Sequence, residues 1–364
     1  MTQPTTAVIV AGGRGTRLWP LTERTPKPLL PLVGIPFLRG VIERLGATGF
    51  RRVLLVVGQD TAPFDQVCSE AGRAGIEVEV VPEPTPLDTA GGVREVVDAI
   101  DGTFLVLNGD VLSGVDLDAL VSQHRDAGAI ATLSLIRVAD TSTFGVCVRE
   151  GSRIVDFVEK PAPGALPGQD AVNAGAYVLE PSALERFPRG ALSFERQVFP
   201  GLVADGEYLL GAVTDATWAD LGTPARYLHG HRLVLDHRVP WPSVADERTI
   251  HVGRGSEVAD GATVTEPVWI GDEVSIAAGA SIGPYAVVGD RCRLGARTQV
   301  RDAVLHDEAT VDDHGHLDHA ILGRGAAVGR SASVHGASIV GPHERIDPRA
   351  RIGPDMRVGP EASP

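Results

Sequence analysis

Hydrophobic residues follow two different patterns along this chain. Up to about residue 235, short apolar runs alternate with amphipathic stretches. The runs predict strands at Ala7 to Ala11, Val53 to Val57, Val78 to Val81, Phe104 to Leu107 and Ile130 to Leu135. The amphipathic stretches predict helices at Phe37 to Ala47, Thr61 to Ala74, Thr89 to Ile100 and Leu117 to Ala127. This alternation is typical of an α/β fold with a doubly wound, mostly parallel, Rossmann-like sheet, in which ligands bind at the carboxyl ends of the strands.

Beyond Pro240-Trp241-Pro242 an aliphatic residue recurs every six positions. One series runs Val252, Val258, Val264, Ile270, Ile276, Ile282, Val288, Leu294 and Val300, and a second runs Leu322, Val328, Val334, Val340, Ile346, Ile352 and Val358. The series differ in phase, so we expect the stretch from His306 to His319 to absorb a shift. The period resembles the left-handed parallel β-helix of hexapeptide-repeat proteins, with three hexads to a coil. We predict domains at 1–235 and 249–364, joined by a linker at 236–248.

Composition restricts where the protein acts and what it binds. The 364 residues are enough for two domains, and 43% are apolar. No run of eighteen apolar residues occurs and residues 1–6 lack the features of a signal peptide, so we expect a soluble, cytoplasmic protein. Cys68, Cys147 and Cys292 lie far apart, which favours reduced thiols. The net charge of -14 argues against nucleic acid or an anionic membrane as a partner.

A glycine-rich loop follows the first predicted strand and carries the clearest chemistry. Gly12-Gly13-Arg14-Gly15-Thr16-Arg17 can wrap a phosphate with backbone amides, and Lys27 follows ten residues later. The loop lacks the third glycine of a dinucleotide fingerprint and the Lys-Ser/Thr pair of a P-loop. Of the 33 basic residues only Lys27 and Lys160 are lysines. We infer that both positions need a compact point charge instead of arginine's planar fork.

The stretch from Val8 to Leu32 contains the string G-G-x-G-T-R-L-x-P-L-T-x-x-x-P-K-P-L-L-P, which resembles the signature of the sugar-phosphate nucleotidyltransferases. These enzymes join a nucleoside triphosphate to a sugar 1-phosphate. The resemblance implies nucleotide binding by Ala11, Gly12, Gly13, Arg14, Gly15 and Thr16. It also implies catalytic roles for Arg17, which would stabilise the leaving pyrophosphate, and for Lys27, which would bind the triphosphate.

Asn108-Gly109-Asp110 ends a buried strand at the expected ligand edge, where a carboxylate can hold Mg²⁺. In the family that this chain resembles, an aspartate at this position binds the metal, and a second comes from a W-x-D-x-G-T-P stretch. Here that stretch begins at Trp218, so the resemblance implies Asp110 and Asp220 as metal ligands and Mg²⁺ as the cofactor. Asp110 counts among the catalytic residues for the same reason.

Further motifs concern the sugar and the base. The resemblance implies that Lys160 of V-E-K-P holds the sugar phosphate as a catalytic residue, and that Glu159, Asn173 and Gly145 line the sugar pocket. Glu83 offers only acceptors and so suits the paired N–H donors of guanine. In the following L-D-T-A-G-G segment, Thr89 and Gly91 match nucleotide-binding positions, whereas Asp88 replaces the usual glycine and puts the choice of base in doubt.

The motifs together most resemble the mannose-1-phosphate guanylyltransferases that carry a β-helix tail. We therefore predict an enzyme that joins GTP and a hexose 1-phosphate, with mannose favoured, to give a GDP-sugar and pyrophosphate. Another nucleotide with another sugar or cyclitol phosphate, a non-catalytic regulatory subunit, and a bifunctional enzyme with an acyltransferase β-helix stay open. The histidines His306, His314, His316 and His319 are expected to face solvent. The β-helix is expected to mediate homo-oligomer formation.

Overall fold

The computed structural model describes residues 4–138, 141–142, 145–159, 161–162, 164–244 and 248–360. It divides into two compact units, one formed by Met1–Gly13 and Val41–Trp218 and the other by Arg14–Gly40 and Ala219–Pro364. The glycine-rich motif therefore contributes to both units, since its first glycines belong to one and Arg17 and Lys27 to the other. The domain limits at residues 235 and 249 stay a prediction.

The elements alternate as the hydrophobic pattern predicts. In the first 240 residues the strands are β1 (Thr6–Val10), β2 (Pro31–Leu32), β3 (Ile35–Pro36), β4 (Arg52–Val57), β5 (Glu77–Pro82), β6 (Phe104–Asn108), β7 (Val111–Ser113), β8 (Ala131–Arg137), β9 (Gly145–Glu150), β10 (Arg153–Glu159), β11 (Ala171–Leu179), β12 (Leu209–Thr214) and β13 (Trp218–Asp220). The α-helices are α1 (Phe37–Ala47), α2 (Asp65–Arg73), α3 (Asp88–Val96), α4 (Leu117–Ala127), α5 (Ser182–Glu185), α6 (Phe199–Ala204) and α7 (Pro224–Leu235). A π-helical turn covers Phe194–Val198.

Among the described residues of the first unit, nine strands form one sheet in the order β5-β4-β1-β6-β11-β8-β12-β10-β9. The run β5-β4-β1-β6 is parallel, as is the pair β8-β12, and the other neighbours are antiparallel. The central strands are buried, because helices cover them, and their side chains join one core with α3 and with Phe194 and Phe199. The carboxyl ends of β1 and β6 lie side by side, so the glycine loop and Asn108-Gly109-Asp110 start at one edge of the sheet.

The second unit contains a left-handed parallel β-helix, which confirms the prediction from the six-residue period. Its strands are β14 (Ile250–Val252), β15 (Glu257–Val258), β16 (Thr263–Val264), β17 (Val268–Ile270), β18 (Ser275–Ile276), β19 (Ser281–Ile282), β20 (Ala286–Val288), β21 (Arg293–Leu294), β22 (Gln299–Arg301), β23 (Val304–Leu305), β24 (Thr310–Val311), β25 (His316–Leu322), β26 (Ala327–Val328), β27 (Ser333–Val340), β28 (Arg345–Ile346), β29 (Arg351–Ile352) and β30 (Arg357–Val358). Val252 pairs with Ile270, which pairs with Val288, so equivalent aliphatic residues stack on successive coils. Most of these side chains form one buried core.

The phase shift is resolved differently from the expectation. Leu305, Val311 and Leu317 continue the buried aliphatic series through the histidine-rich stretch. The shift is split into two shortened hexads, because the steps from Val300 to Leu305 and from Leu317 to Leu322 are five positions instead of six. Both deletions fall at the same corner of consecutive coils. The coil from Val288 to its neighbour Leu305 therefore has 17 residues instead of 18.

Another corner of the β-helix carries a ladder of aspartates. The Asp272 carboxylate accepts the Arg254 N–H at 2.7 Å, Asp290 accepts the Asp272 N–H at 2.9 Å, and Asp307 accepts the Asp290 N–H at 3.1 Å. Each aspartate thus caps a backbone amide of the coil before it. Burial and the neighbouring Asp290 raise the pKa of the Asp307 carboxyl.

The expected exposure of the histidines is correct only in part. His314 and His316 are exposed and His319 is half-buried, but His306 is buried with 7% of its surface accessible. Its burial lowers its pKa to about 4, so it is neutral at physiological pH. The repeat could not reveal this, because the side chain is covered by residues distant in sequence. In the part of the chain that the structure describes, no helix is long and apolar enough to cross a bilayer.

Candidate active site

The glycine loop leaves β1 beside a buried carboxylate. The Ala11 N–H donates to the Val56 carbonyl at 2.8 Å and ties the start of the loop to β4. Glu83, at the end of β5, is only 7% exposed and directs its carboxylate between Gly12 and Gly92. A Cβ at Gly12 would lie 2.6 Å from Glu83 Oε2, and one at Gly92 would lie 2.5 Å from Oε1. Both glycines therefore leave open the space that this carboxylate occupies.

The Glu83 carboxylate has unused acceptor capacity. Its Oε1 atom is buried and has no hydrogen-bond partner among the described residues. Burial raises the pKa of the Glu83 carboxyl, the Leu87 amide partly offsets this, and the Asp88 carboxylate adds to it. A buried acceptor without a donor is costly, which makes it a good receptor for a ligand that brings N–H groups.

The backbone conformation at Asp88 explains why the family usually has glycine at this position. Its φ is 63°, in the left-handed region that glycine adopts freely and that aspartate tolerates better than most residues. Its carboxylate pairs with Arg196 and also accepts the Thr89 N–H at 2.8 Å. Asp88 thus keeps the backbone turn of the glycine that it replaces and adds a surface ion pair.

Thr89 and Gly91 anchor the start of α3. The Thr89 hydroxyl donates to Glu195 at 2.8 Å and accepts the Phe194 N–H at 3.0 Å. The Gly91 N–H donates to the Leu192 carbonyl at 3.0 Å, and a Cβ on Gly91 would lie 2.4 Å from the Gly190 carbonyl oxygen. In this structure both residues hold the start of α3 against residues 190–195. Their contact with a nucleotide stays a prediction.

Asn173, which is predicted to bind the sugar, is hydrogen-bonded to two residues of its own strand, and one of these packs against Asn108 at the end of β6. Its amide Nδ2 donates to the Tyr177 hydroxyl at 2.7 Å, and its Oδ1 accepts the Gly175 N–H at 2.9 Å. A Cβ on Gly175, whose φ is 75°, would lie 2.7 Å from Asn108 Nδ2. Tyr177 is fully buried and was missed by sequence reasoning, because residues four apart on a regular strand lie about 13 Å apart and the strand has a register shift between Asn173 and Tyr177. Asn173 is therefore held in a fixed orientation by Tyr177 and Gly175.

The remaining sugar residues are described only in part. Gly145 begins β9 and pairs with Glu159 at the end of β10, so the structure brings these two backbones together. Lys160 lies outside the described residues. Asp110 lies two residues after the end of β6, at the same edge of the sheet as the start of the glycine loop.

In the second unit, Arg17 and Lys27 meet Asp220. The Lys27 ammonium lies 3.8 Å from Asp220 Oδ1, and its side chain is only 9% exposed. A Cβ on Gly222 would lie 2.6 Å from Arg17 Nη2 and 2.7 Å from Asp220 Oδ1, so Gly222 makes room for both groups. A Cβ on Gly15 would lie 3.0 Å from Lys27 Cβ, which places the loop backbone against Lys27. Three predicted site residues are thus brought together.

Asp220 is held by a residue that the sequence did not single out. Its Oδ2 accepts from Arg226 Nη1 at 2.7 Å and its Oδ1 accepts the Gly222 N–H at 2.8 Å. Arg226 is the third residue of α7, and the Thr223 hydroxyl caps this helix by accepting the Arg226 N–H. Arg226 follows the W-x-D-x-G-T-P motif by only two residues, and a search for cations beside the motif would have found it.

The donor set around these acids suits a hard cation. Asp110, in the first unit, and Asp220, in the second, are predicted to supply carboxylate oxygens, the ligands that Mg²⁺ prefers. Among the described residues, no three His, Cys, Asp or Glu side chains form a group that could hold a metal ion. The residues fit a metal that also takes oxygen ligands from its substrate, as Mg²⁺ commonly does.

Known proteins share this arrangement of sequence and fold. A family model described as nucleotidyl transferase matches residues 6–237. The chain belongs to this family. A second model, described as the GMPPB C-terminal domain, matches residues 264–350 within the β-helix. The predicted fold and the predicted class of enzyme, a sugar-1-phosphate nucleotidyltransferase, are confirmed.

Individual relatives point in the same direction. The chain is 38% identical over 278 residues to a mannose-1-phosphate guanylyltransferase of Mycobacterium tuberculosis. The aligned region covers 70% of this chain and 77% of that protein. It is 35% identical over 240 residues to a probable mannose-1-phosphate guanylyltransferase of Arabidopsis thaliana, covering 63% of this chain and 65% of the relative. The crystal structure of HddC from Yersinia pseudotuberculosis, also solved in complex with GMP-PN, superposes with a TM-score of 0.55 at 26% identity, over 63% of this chain and 99% of HddC.

Proposed function

We propose that this protein joins GTP and mannose 1-phosphate to give GDP-mannose and pyrophosphate. The names of its relatives support this reaction. The observation that carries the choice of base is the buried Glu83 carboxylate, whose Oε1 has no donor within the described structure. Guanine presents N1–H and an exocyclic amine side by side, and a carboxylate can accept from both. Adenine and the pyrimidines lack this pair of adjacent donors.

The reaction requires positioning and charge neutralisation more than proton transfer. A sugar-phosphate oxygen attacks the α-phosphorus in line with the departing pyrophosphate, and it is already anionic, so no general base is required. Lys27 binds the triphosphate, Arg17 stabilises the pyrophosphate as it leaves, and Lys160 holds the attacking phosphate. Gly12 to Thr16 supply backbone amides to the phosphates, while Asn173, Gly145 and Glu159 orient the sugar.

Asp110 and Asp220 are the residues that would hold Mg²⁺. A bound Mg²⁺ neutralises phosphate charge and orients the phosphate oxygens. Arg226 and Lys27 place positive charge beside the Asp220 carboxylate and hold it in position. Self-association through the β-helix and a cytoplasmic location stay predictions, and light scattering tests the first.

A matrix of substrates tests the proposal. GTP, ATP, UTP, dTTP and CTP would each be paired with mannose, glucose and galactose 1-phosphates and with an inositol phosphate, and pyrophosphate release would be measured. We expect the highest kcat/KM for GTP with mannose 1-phosphate. A higher value for any other pair would replace the proposed substrates, and no release with any pair would favour a regulatory subunit.

Replacing the proposed base receptor is expected to change nucleotide preference. Glu83→Gln keeps the size of the side chain but replaces an acceptor by a donor, so one guanine N–H loses its partner. We expect kcat/KM for GTP to fall about a hundredfold, and kcat/KM for UTP or dTTP to rise relative to it. Steady-state kinetics with each nucleotide measures both changes. Glu77→Gln, an exposed change on the same strand, is the matched control.

The same carboxylate predicts a pH dependence. Because burial raises the Glu83 pKa, the carboxyl takes up a proton at a higher pH than an exposed glutamate does. Guanine needs the ionised form, so the affinity for GTP should weaken as the pH falls through this raised pKa. Calorimetric titration with GTP across acidic pH would show the weakening, and Glu83→Gln should flatten it. An equal slope in the variant would remove Glu83 from base recognition.

A further inference from the structure

The shortened corner of the β-helix is where helix α7 docks within the second unit. Tyr285, Asp302 and His319 succeed one another at this corner on consecutive coils, each with φ between 47° and 59°. The Arg232 guanidinium of α7 forms a forked ion pair with Asp302 and lies over the Tyr285 ring, 5.6 Å from its centroid. His319 Nδ1 meets the same carboxylate at 2.5 Å. The repeat is therefore shortened by one residue in two coils at the same corner where Arg232 of α7 pairs with Asp302.

One turn earlier, α7 connects the β-helix to the segment that carries Lys27. The Tyr227 hydroxyl donates to the Pro31 carbonyl and lies 3.1 Å from His306 Nε2. A phenol has one proton, and the carbonyl can only accept, so His306 must donate from a protonated Nε2. His306 is neutral because burial lowers its pKa, which leaves Nδ1 without a proton. His306, Tyr227 and Pro31 therefore form a directional chain of hydrogen bonds.

The turn after Pro31 is fixed at consecutive backbone groups. Trp241 Nε1 donates to the Leu32 carbonyl at 2.9 Å, and the Ser243 hydroxyl donates to the Val33 carbonyl. The Val33 N–H donates to His231 Nδ1 at 3.3 Å. Val33 has a φ of 44°, which is rare for a β-branched residue and persists only where the surroundings enforce it. The chain is thus clamped four to six residues after Lys27.

The last β-helix coil contacts the same segment close to Arg17. A Cβ built on Gly359 would lie 2.6 Å from Pro20 Cβ and 3.0 Å from the Trp19 ring. Pro20 is 3 residues beyond Arg17 and is buried. Gly359 provides the space into which the Trp19-Pro20 turn fits.

We propose that the β-helix positions the triphosphate-binding segment, with His306 and Gly359 as positioning residues for Lys27 and Arg17. The inference rests on the proposed nucleotidyl transfer but adds residues that touch no substrate. His306 acts through Tyr227 on the backbone after Lys27, and Gly359 acts through Pro20 on the backbone after Arg17. Any ligand or partner that shifts the β-helix coils would then alter binding of the triphosphate.

The first test removes the His306 hydrogen bond. His306→Leu is expected to lower kcat/KM for GTP about tenfold while leaving KM for the sugar 1-phosphate unchanged, because only the triphosphate segment is displaced. His306→Gln should restore most of the loss, since its amide can donate to Tyr227. His316→Leu, an exposed change on the same β-helix, should have no effect.

A double-mutant cycle separates positioning from general stability. Tyr227→Phe keeps the ring and removes the hydroxyl, so it should reproduce the effect of His306→Leu, and the double variant should lose little more. This variant also serves if His306→Leu does not fold. Additive losses, equal changes in both substrates' KM, or a lower melting temperature with unchanged kinetics would each overturn the inference.

The second test fills the space at Gly359. Gly359→Ala should lower kcat/KM for GTP about tenfold, because the methyl group displaces the turn after Arg17. Gly72→Ala, in helix α2 with no atom near the added methyl group, is the matched control and should leave activity unchanged. Activity of Gly359→Ala equal to that of the parent chain would refute a role for this coil.

The activity of the parent chain distinguishes failure of the proposed function from failure of the positioning role. If it does not release pyrophosphate from GTP, the proposed function fails before any variant is compared. If it does so and the variants match it, only the positioning role fails.

Discussion

Asp110→Asn is expected to lower kcat about a thousandfold in the presence of Mg²⁺, because the amide keeps the shape of the carboxylate but loses the charge that binds the metal. Turnover would be followed by pyrophosphate release over a range of Mg²⁺ concentrations. Mn²⁺ binding in the presence of GTP, measured by electron paramagnetic resonance, gives a readout independent of activity and should weaken in parallel.

The matched control for this variant is Asp126→Asn, which removes a carboxylate from the exposed end of α4 and should leave both measurements unchanged. Undiminished turnover of Asp110→Asn would contradict the metal role. If the variant loses turnover but still binds Mn²⁺ fully, Asp110 contributes to the reaction in a way other than metal binding.

Lys27→Arg is expected to lower kcat/KM for GTP about a hundredfold, although the charge is retained. The Lys27 side chain is 9% exposed, its ammonium is 3.8 Å from Asp220, and the Gly15 backbone lies against its Cβ. A guanidinium is larger and forms forked pairs with carboxylates, so it should turn towards Asp220 and leave the triphosphate. Steady-state kinetics with GTP and differential scanning calorimetry separate this effect from misfolding.

The control reverses the substitution at a surface position. Arg254→Lys changes a side chain that is 95% exposed and should alter neither kinetics nor melting temperature. If Lys27→Arg keeps the activity of the parent chain, the position needs only a positive charge, and the scarcity of lysine in this sequence carries no chemical meaning.

Local signals predicted much of the fold. Helix α4 runs from Leu117 to Ala127 as the pattern predicts, because the Asp116 carboxylate caps its first turn and Gly128, with a φ of 59°, ends it. The six-residue period predicted the β-helix for a similar reason, since each inward position must be aliphatic to fill the coil. These features depend on neighbours in the chain and so are visible in the sequence.

Long-range contacts account for what was not predicted. The burial of His306 depends on Tyr227, which is 79 residues away, and the anchoring of Asp220 depends on a helix that begins after its motif. Likewise, Asn173 was expected in the sugar pocket, but its bond to Tyr177 could be recognised only once the strand was placed beside Asn108. The sequence motifs identify the chemical groups, and tertiary contacts determine how each is held.

The ladder of aspartates on the β-helix has a consequence for how such a tail can change in evolution. Each rung joins an aspartate to an amide one coil earlier, and the ladder continues from Asp290 to Asp307 even though that coil is one residue shorter than the one before. The ladder thus requires one aspartate at this corner of each coil, but it does not require every coil to have the same number of residues. Insertions or deletions of whole coils would preserve it, whereas a change of a few residues at its own corner would leave an amide uncapped. We expect tails of this design to differ in length by whole coils or by short changes at the other corners, as in the two 17-residue coils of this chain.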